Sequence, residues 1–340
     1  MEFVCYHEWN QLPNSADSLF ARASKDSIFF SRHWFENLIR NSPDNCQNIL
    51  LACVVEDGNV LAILPLEMRS RDHWYALTNL YSSLYTLLLD ERRPQEITEC
   101  LAQGLVKRKF SLLRLDPVAE DDRNLHYLQL AMESLGVGCH RKFRFYNWIH
   151  HTWGQAFTEY MQARPARVRN TIARKARKLD REQGYTIRLF TDTNVQQAVD
   201  DYNAVYNKSW KANELYGDFI EGLAYRLAEQ GWLRLAILYI GGKATAAQFW
   251  FVVHGRASIF KLAYDEDWKH YSPGSILTCY LMEHVIDSDK VSEIDFLTGN
   301  DSYKQDWMSE RRERSSLSFI NTPESGARAG RLINWLRKLI

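Results

Sequence analysis

The stretch Ser272-Pro273-Gly274-Ser275-Ile276 marks the start of a helix that follows a β-rich run. A serine before the helix, a proline at its first position and a glycine at its second are three separate signals of a helix start. The backbone N–H groups of residues 274–276 then face back over the preceding strand, and the absent side chain of Gly274 leaves them accessible. The stretch predicts an anion-binding helix start, with an ordinary capped helix as the alternative reading.

The segments on both sides of this helix predict a sheet. Three β-rich runs precede it at 232–240, 243–254 and 256–264, and two-residue turns, Gly241-Gly242 and His254-Gly255, join them into a meander. The helix itself is predicted over 273–286, followed by a strand at 293–297, a short helix at 303–308 and a last strand at 315–320.

A similar order of elements occurs in the first half of the chain. After helical spacing over 16–40 come two strand runs joined around Asp57-Gly58, then a helix, a strand and a helix, at 49–55, 60–68, 94–107, 111–115 and 122–135. A strand followed by a crossover helix and a further strand indicates a mixed, twisted α/β sheet with right-handed crossovers. The repeated order predicts two related halves, of which the first is a degenerate copy.

Composition limits the classes of protein and the compartments that fit. The chain has 340 residues, 46% of them hydrophobic and 25% charged, which predicts about two water-soluble globular domains. Its six cysteines are scattered without a zinc-finger spacing, and the start of the chain shows no export signal. We therefore expect a cytoplasmic protein with reduced thiols and no structural metal.

The charges balance overall but not locally. Lys plus Arg and Asp plus Glu both number 42, yet residues 164–181 hold eight basic side chains and one acidic one. Arg174 and Arg177 in this segment are candidates for binding a polyphosphate, a tRNA, an anionic lipid or an acidic polysaccharide, and a solvated helix face is the alternative. The tail 327–340 predicts a basic amphipathic helix that docks on the protein or lies on the anionic inner face of a membrane.

Three side chains near the last predicted strands are candidates for catalysis. Asp295 lies between Ile294 and Phe296 in a predicted interior strand, where it could act as a general base or cap the following turn. Tyr303 could act as a proton donor, or it packs in the core. Lys304 follows it and could contact a phosphate, a carboxylate or an oxyanion.

Several of these segments together resemble a known family. They are Ala244-Thr245-Ala246-Ala247-Gln248, Lys261-Leu262-Ala263-Tyr264-Asp265, the helix start at 271–275, Ile294-Asp295-Phe296-Leu297-Thr298-Gly299 and Tyr303-Lys304. In this order and spacing, 157–319 resembles the BioF2-like, FemAB-related (CelD-like) branch of the GNAT acyltransferases. The first half, with Phe29-Phe30-Ser31-Arg32-His33-Trp34, resembles the degenerate N-terminal GNAT-like domain of the same proteins.

The resemblance implies tandem GNAT-like domains and an acyl donor. It implies a degenerate domain over 1–150, an acyltransferase domain over 151–325 and the tail helix over 326–340. The donor would be acyl-CoA, carrying an acetyl or a longer acyl group, held by Gln248, Phe249, Gly274, Ser275 and Ile276, with a backbone amide of residues 248–250 facing the oxyanion. The acceptor amine would contact Trp210, Lys261 and Tyr264. The chain lacks the better-known GNAT phosphate signature Q/R-x-x-G-x-G/A, and FemABX enzymes use aminoacyl-tRNA instead.

The resulting hypothesis is an N-acyltransferase of envelope, exopolysaccharide or lipid biosynthesis. Its acceptor would be an amino sugar, a lipid amine or an amino-acid derivative. Two alternatives stay open: a Fem-like transferase that uses aminoacyl-tRNA, and an inactive GNAT scaffold that binds an acidic polymer or a membrane.

Overall fold

A computed structural model describes residues 1–42 and 48–321. The chain forms two compact units, the first of residues 1–145 together with 313–321 and the second of residues 146–312. The predicted domain boundaries at 150 and 325 assign 313–321 to the second domain instead. The predicted tail helix at 326–340 lies outside the described residues.

Two kinds of feature are missing from the described residues. None of the helices within 1–42 and 48–321 is long and apolar enough to cross a membrane. The same part of the chain also contains no group of three or more His, Cys, Asp or Glu side chains that could hold a metal ion.

The first unit is a mixed sheet with helices. Its strand order is β1-β2-β3-β4-β6-β13, with β5 beside β3, and the pair β4 and β6 is parallel. The elements are β1 (Glu2–Tyr6), α1 (Asp17–Ala23), α2 (Arg32–Asn41), β2 (Ile49–Glu56), β3 (Asn59–Met68), β4 (His73–Ala76), β5 (Leu88–Leu89), α3 (Pro94–Lys107), β6 (Leu112–Ala119), α4 (Arg123–Ser134), the first part of β7 (Gly138–His151) and most of β13 (Glu310–Ile320).

In the first unit the predicted hairpin turn is present, whereas the single helix predicted over 16–40 is not. Asp57 and Gly58 both have positive φ, 49° and 76°, as a two-residue hairpin turn requires, and they join β2 to β3 as expected. The helix expected over 16–40 is divided into α1 and α2. The division occurs because the Ser31 hydroxyl accepts a hydrogen bond from the Trp34 amide at 3.1 Å and begins a new helix there.

The second unit is the six-stranded sheet β7-β12-β11-β10-β9-β8, in which β11 and β12 are parallel and the other neighbours are antiparallel. Its elements are the end of β7, α5 (Phe157–Gln162), α6 (Ala166–Gln183), β8 (Thr186–Phe190), α7 (Val195–Asn207), α8 (Gly217–Glu229), β9 (Leu233–Ile240), β10 (Lys243–Val253), β11 (Arg256–Tyr264), α9 (Pro273–Glu283), β12 (Glu293–Thr298), α10 (Lys304–Trp307) and the start of β13.

Helices cover both faces of this second sheet. On one face, side chains of α6 and α9 share a buried core with alternate residues of the strands, among them Leu179, Leu281, Leu238 and Trp250. On the other face, Phe249 meets Tyr202 of α7 edge to face at 6.4 Å. Because successive side chains of a strand point to opposite faces, each strand residue belongs to the α6/α9 face or to the α7 face.

Strand β11 contains a bulge and then separates from β12. Trp250 pairs with Ile259 and Phe249 with Lys261, so Phe260 is an extra residue. Beyond the bulge, Lys261 lies on the α7 face. The parallel pairing of β11 with β12 covers 256–258 and 293–295. Past these residues the described parts of β11 and β12 show no further pairing with each other. We call the space between 259–264 and 296–298 the gap.

Gly104 in α3 offers a test of packing in the first unit. A Cβ atom at this position would collide with the ring of Phe3 on β1. We expect Gly104→Ala to lower the free energy of unfolding by about 1–3 kcal/mol, in spite of the higher helix propensity of alanine. Chemical denaturation followed by circular dichroism measures this change. Gly217→Ala is the matched control because a Cβ there meets nothing within 4 Å, and an equal effect of both substitutions would contradict the packing argument.

Candidate functional site

A cavity of about 440 Å³ lies on the α6/α9 face of the second sheet. Strands β10 and β11 supply part of its wall, and the first turn of α9, the segment around α10, one side of α6 and Trp210 supply the rest. The lining residues are Arg167, Val168, Thr171, Ile172, Trp210, Gln248, Leu262, Tyr264, Gly274, Ser275, Thr278, Tyr303, Asp306 and Trp307. A volume of this size is typical of small-molecule sites.

The start of α9 forms one wall but offers fewer free amides than expected. Ser272 has a left-handed φ of 56°, and its carbonyl accepts hydrogen bonds from the amides of Ser275 at 3.1 Å and Ile276 at 3.2 Å. Ile276 is buried in the core. Of the three amides predicted to bind an anion, that of Gly274 alone has no acceptor among the described residues.

Gln248 fixes α9 to the sheet. Its Nε2 donates to the carbonyl of Gly274 at 2.8 Å and to the Thr278 hydroxyl at 2.7 Å, and its Oε1 accepts from the Trp250 indole at 2.8 Å. A buried amide with all these partners is a structural clamp. The clamp holds the first turn of α9 against β10 at the cavity wall.

The backbone amides of residues 248–250 belong to an interior strand. Strand β10 pairs with β9 on one side and with β11 on the other, and its register against β11 shifts between Phe249 and Trp250. Ladder amides are normally hydrogen-bonded, whereas a bulge disrupts the ladder locally, so the oxyanion donor at 248–250 stays a prediction. Phe249 itself points to the α7 face, away from the cavity. The predicted donor contact of Phe249 therefore does not arise.

An aromatic pair closes the end of the cavity near α9. The rings of Trp210 and Tyr264 lie 4.6 Å apart. A Cβ at Gly274 would come within 3.2 Å of the Tyr264 ring. Such a contact is tight, so glycine favours the close packing of Tyr264 against the helix start.

Tyr303 brings a hydroxyl group to the cavity. Its side chain is 42% exposed and lines the cavity just before α10. Partial burial and the nearby carboxylate of Asp301 raise the pKa of Tyr303 to about 12. The phenol is therefore protonated at neutral pH and can donate a hydrogen bond.

Lys304 holds the backbone of the gap and is absent from the cavity wall. Its ammonium donates to the carbonyls of Phe296 at 3.0 Å and Thr298 at 2.6 Å, and it lies 3.7 Å from the Asp301 carboxylate. Burial lowers the pKa of Lys304. In the structure Lys304, which was predicted to contact a ligand, instead fixes the loop after β12.

Asp295 also has structural partners instead of a place in the cavity. Its carboxylate accepts from the Leu297 amide at 2.6 Å, from Asn147 Nδ2 at 2.5 Å and from Arg312 at 3.1 Å. Against the effect of burial, the carboxylates of Asp295 and Glu293 raise the pKa of Arg312. The capping alternative describes this arrangement, because Leu297 has a left-handed φ of 50° that the carboxylate supports. The predicted general base is thus an ion-paired cap.

The predicted acceptor contacts are divided between two places. Lys261 lies on the α7 face and pairs with Glu214 at 2.6 Å. Arg174 and Arg177 are exposed on α6 away from the cavity. The arginine of α6 that lines the cavity is Arg167, which pairs with Asp306 at 2.6 Å. The helical spacing of residues 167, 168, 171 and 172 places them on one side of α6, and this pattern is visible in the sequence.

Comparisons with known proteins agree on the fold. A family model described as an acetyltransferase (GNAT) domain matches residues 166–305. No curated protein sequence matches the chain. Among solved structures, FemX is 12% identical and covers 99% of both chains with a TM-score of 0.62.

Two further structures are similar to the chain. The C-terminal domain of a putative lysylphosphatidylglycerol synthetase from Agrobacterium fabrum is 13% identical, with 88% of this chain and 96% of that chain covered and a TM-score of 0.54. A tandem GNAT protein from the clavulanic acid biosynthesis pathway is 12% identical, with 94% and 98% covered and a TM-score of 0.50. The chain therefore has a GNAT-type acyltransferase fold, a mixed, twisted sheet flanked by helices, and the matched residues supply the cavity lining except for Asp306 and Trp307.

Proposed function

We propose that the protein is an N-acyltransferase that moves an acyl group from acyl-CoA to an amine. The observation that carries this proposal is the cavity in the matched domain, which is lined by Leu262 and Tyr264 of β11 and by the Tyr303 hydroxyl that follows β12. Because β11 and β12 separate beside the cavity, an acceptor on the α7 face could reach an acyl donor in the cavity through the gap.

The proposed reaction needs little chemistry from the protein. The acceptor amine attacks the thioester carbonyl, a C–N bond forms, the C–S bond breaks, and the proton lost by the amine balances the one gained by the thiol. The protonated phenol of Tyr303 donates a hydrogen bond to the departing sulfur and stabilises its developing charge. No covalent enzyme intermediate is required.

The cavity suits the acyl end of such a donor. Ile172, Leu262 and Trp307 give it apolar walls for an acyl chain and its pantetheine arm. The amide of Gly274 offers a single hydrogen bond to the donor at the start of α9. Fewer free amides than in a full phosphate loop imply that the apolar arm contributes most of the affinity.

The class of acceptor follows from the family resemblance. We propose an amino sugar, a lipid amine or an amino-acid derivative of envelope, exopolysaccharide or lipid biosynthesis. One structural relative is named for lysylphosphatidylglycerol, which supports a lipid among these acceptors. A lipid acceptor would bring the protein into peripheral contact with an anionic membrane.

A second candidate is transfer of an aminoacyl group from tRNA, and the surface of α6 favours it. Arg169 and Arg174 are exposed and have no acidic partner among the described residues. Unpaired arginines on a helix face suit contact with phosphates of a nucleic acid. The likeness to FemX over almost the whole chain supports the same reading.

Thermal stabilisation tests the donor. We expect acetyl-CoA or a longer acyl-CoA at about 100 times its Kd to raise the melting temperature by about 5 °C. Gly274→Glu should abolish the shift, because its side chain displaces Tyr264 and places a negative charge at the cavity wall. Gly217→Glu, at an open position outside the cavity, should keep it.

The outcomes separate the candidates. If no acyl-CoA shifts the wild type, the CoA proposal fails. Retention of charged tRNA on a filter, lost in Arg169→Glu with Arg174→Glu, would then support the second candidate. If the wild type neither binds acyl-CoA nor retains charged tRNA, the inactive scaffold is the remaining candidate.

Tyr303→Phe tests the chemical step. We expect kcat to fall about 100-fold while the Kd of acyl-CoA stays the same, because the donor to the leaving sulfur is lost. Release of CoA, followed with a thiol reagent, measures the rate.

Asp295→Asn is the contrasting variant. Its amide would face the donors Asn147 and Leu297, so we expect a stability loss of about 1–3 kcal/mol with turnover retained. Loss of turnover with intact donor binding in Asp295→Asn would restore Asp295 as the general base.

A further inference from the structure

Three lysine ammonium groups, those of Lys211, Lys261 and Lys304, lie near the gap. Lys261 pairs with Glu214 at 2.6 Å, and Lys304 donates to two backbone carbonyls. Lys211 differs from both. Its Nζ lies 5.7 Å from the ring centroids of Tyr206 and Trp210 and has no carboxylate partner among residues 1–42 and 48–321.

The position of Lys211 relative to the sheet is informative. Tyr206 belongs to α7, and the Lys261 ammonium lies 5.6 Å from the same ring. Lys211 and Lys261 therefore share a ring on the α7 face, whereas the cavity lies on the α6/α9 face. The sheet separates these two faces. Trp210 is common to both sites, since it lines the cavity and the Lys211 ammonium lies over its ring.

The electrostatic surroundings of Lys211 are unfavourable for a cation. Burial and the ammonium of Lys261 lower the pKa of Lys211 to about 8, Lys304 acts in the same direction, and Asp301 opposes them. The Asp301 carboxylate is largely exposed and lies beside Lys304, and Glu214 is engaged by Lys261. Lys211 still carries its proton at pH 7. A half-buried cation without a counter-ion is a group whose environment improves when an anion arrives.

We propose that Lys211 binds an anionic group of the acceptor, so that the acceptor is an amine that also carries a carboxylate or a phosphate. This inference rests on the proposed function and names the class of its second substrate. The anion would bind beside Lys211 and Lys261 on the α7 face. The amine of the same molecule would then reach through the gap to the thioester in the cavity.

Matched pairs of amines test the inference by turnover. Glycine against glycinamide represents the carboxylate source, and glucosamine 6-phosphate against glucosamine represents the phosphate source. With acyl-CoA present, we expect at least about a tenfold higher kcat/KM for the anionic member of one pair. Lys211→Met should remove this preference by raising KM for the anionic member with kcat little changed, and Lys211→Arg should retain it. The inference is overturned if the neutral members react equally well in the wild type.

A binding measurement decides the matter without turnover. Inorganic sulfate keeps its charge between pH 6 and 9, and calorimetry should show about tenfold weaker sulfate binding in Lys211→Met than in the wild type at pH 7. Wild-type binding should weaken as the pH rises above 8, because Lys211 then loses its proton. The control is Lys243→Met, at the exposed start of β10.

The donor provides the last control. The Kd of CoA should be the same in the wild type and in Lys211→Met. A matching loss of CoA affinity would assign Lys211 to the donor and overturn the inference, as would equal sulfate binding by both proteins. Failure of the proposed function appears differently, as an absence of CoA binding to the wild type.

Discussion

The hydrogen bond from the Leu297 amide to the Asp295 carboxylate shapes the whole candidate site. It supports a left-handed Leu297 and so ends the regular course of β12 after three residues paired with β11. Lys304 then donates hydrogen bonds to the carbonyls of Phe296 and Thr298. These two side chains therefore hold the irregular backbone on the β12 side of the gap. The cost of burying both charges is offset by the hydrogen bonds that hold this irregular backbone.

Asp295 and Lys304 also show why a sequence pattern suggests a catalytic role for residues whose contacts in the structure are structural. A buried carboxylate and a buried lysine near a predicted site are expected to be functional, because burying a charge is costly. Irregular backbone needs charged groups for the same reason, since its amides and carbonyls are buried too. The partners of Asp295 and Lys304 are partly backbone atoms and partly side chains far along the chain, such as Asn147 and Arg312. A linear pattern does not show them.

Other parts of the fold were accessible from the sequence. Turn residues and periodicity predicted the meander over 232–264, observed over 233–264, and its joining turns. Proline marked the start of α3 and of α9 at the observed residue. The bulge at Phe260 was not predictable, because Ile259-Phe260-Lys261 reads as ordinary strand and the extra residue appears only in the pairing. For the same reason the face on which Lys261 lies was unknown. Lys211 follows a helix end and has no motif, so only its surroundings distinguish it.

The ion pair of Arg167 with Asp306 joins α6 to α10 beside the cavity. Arg167 is mostly exposed, and a pair of this kind typically contributes no more than about 1 kcal/mol. That amount is comparable to thermal energy, so this latch would open readily and α6 would be held in place mainly by its buried side chains. Because Arg167 and Asp306 both line the cavity, opening of the latch would widen the cavity at this wall for a long or branched donor while α6 stays packed. The entry rate would depend on salt, which screens the latch.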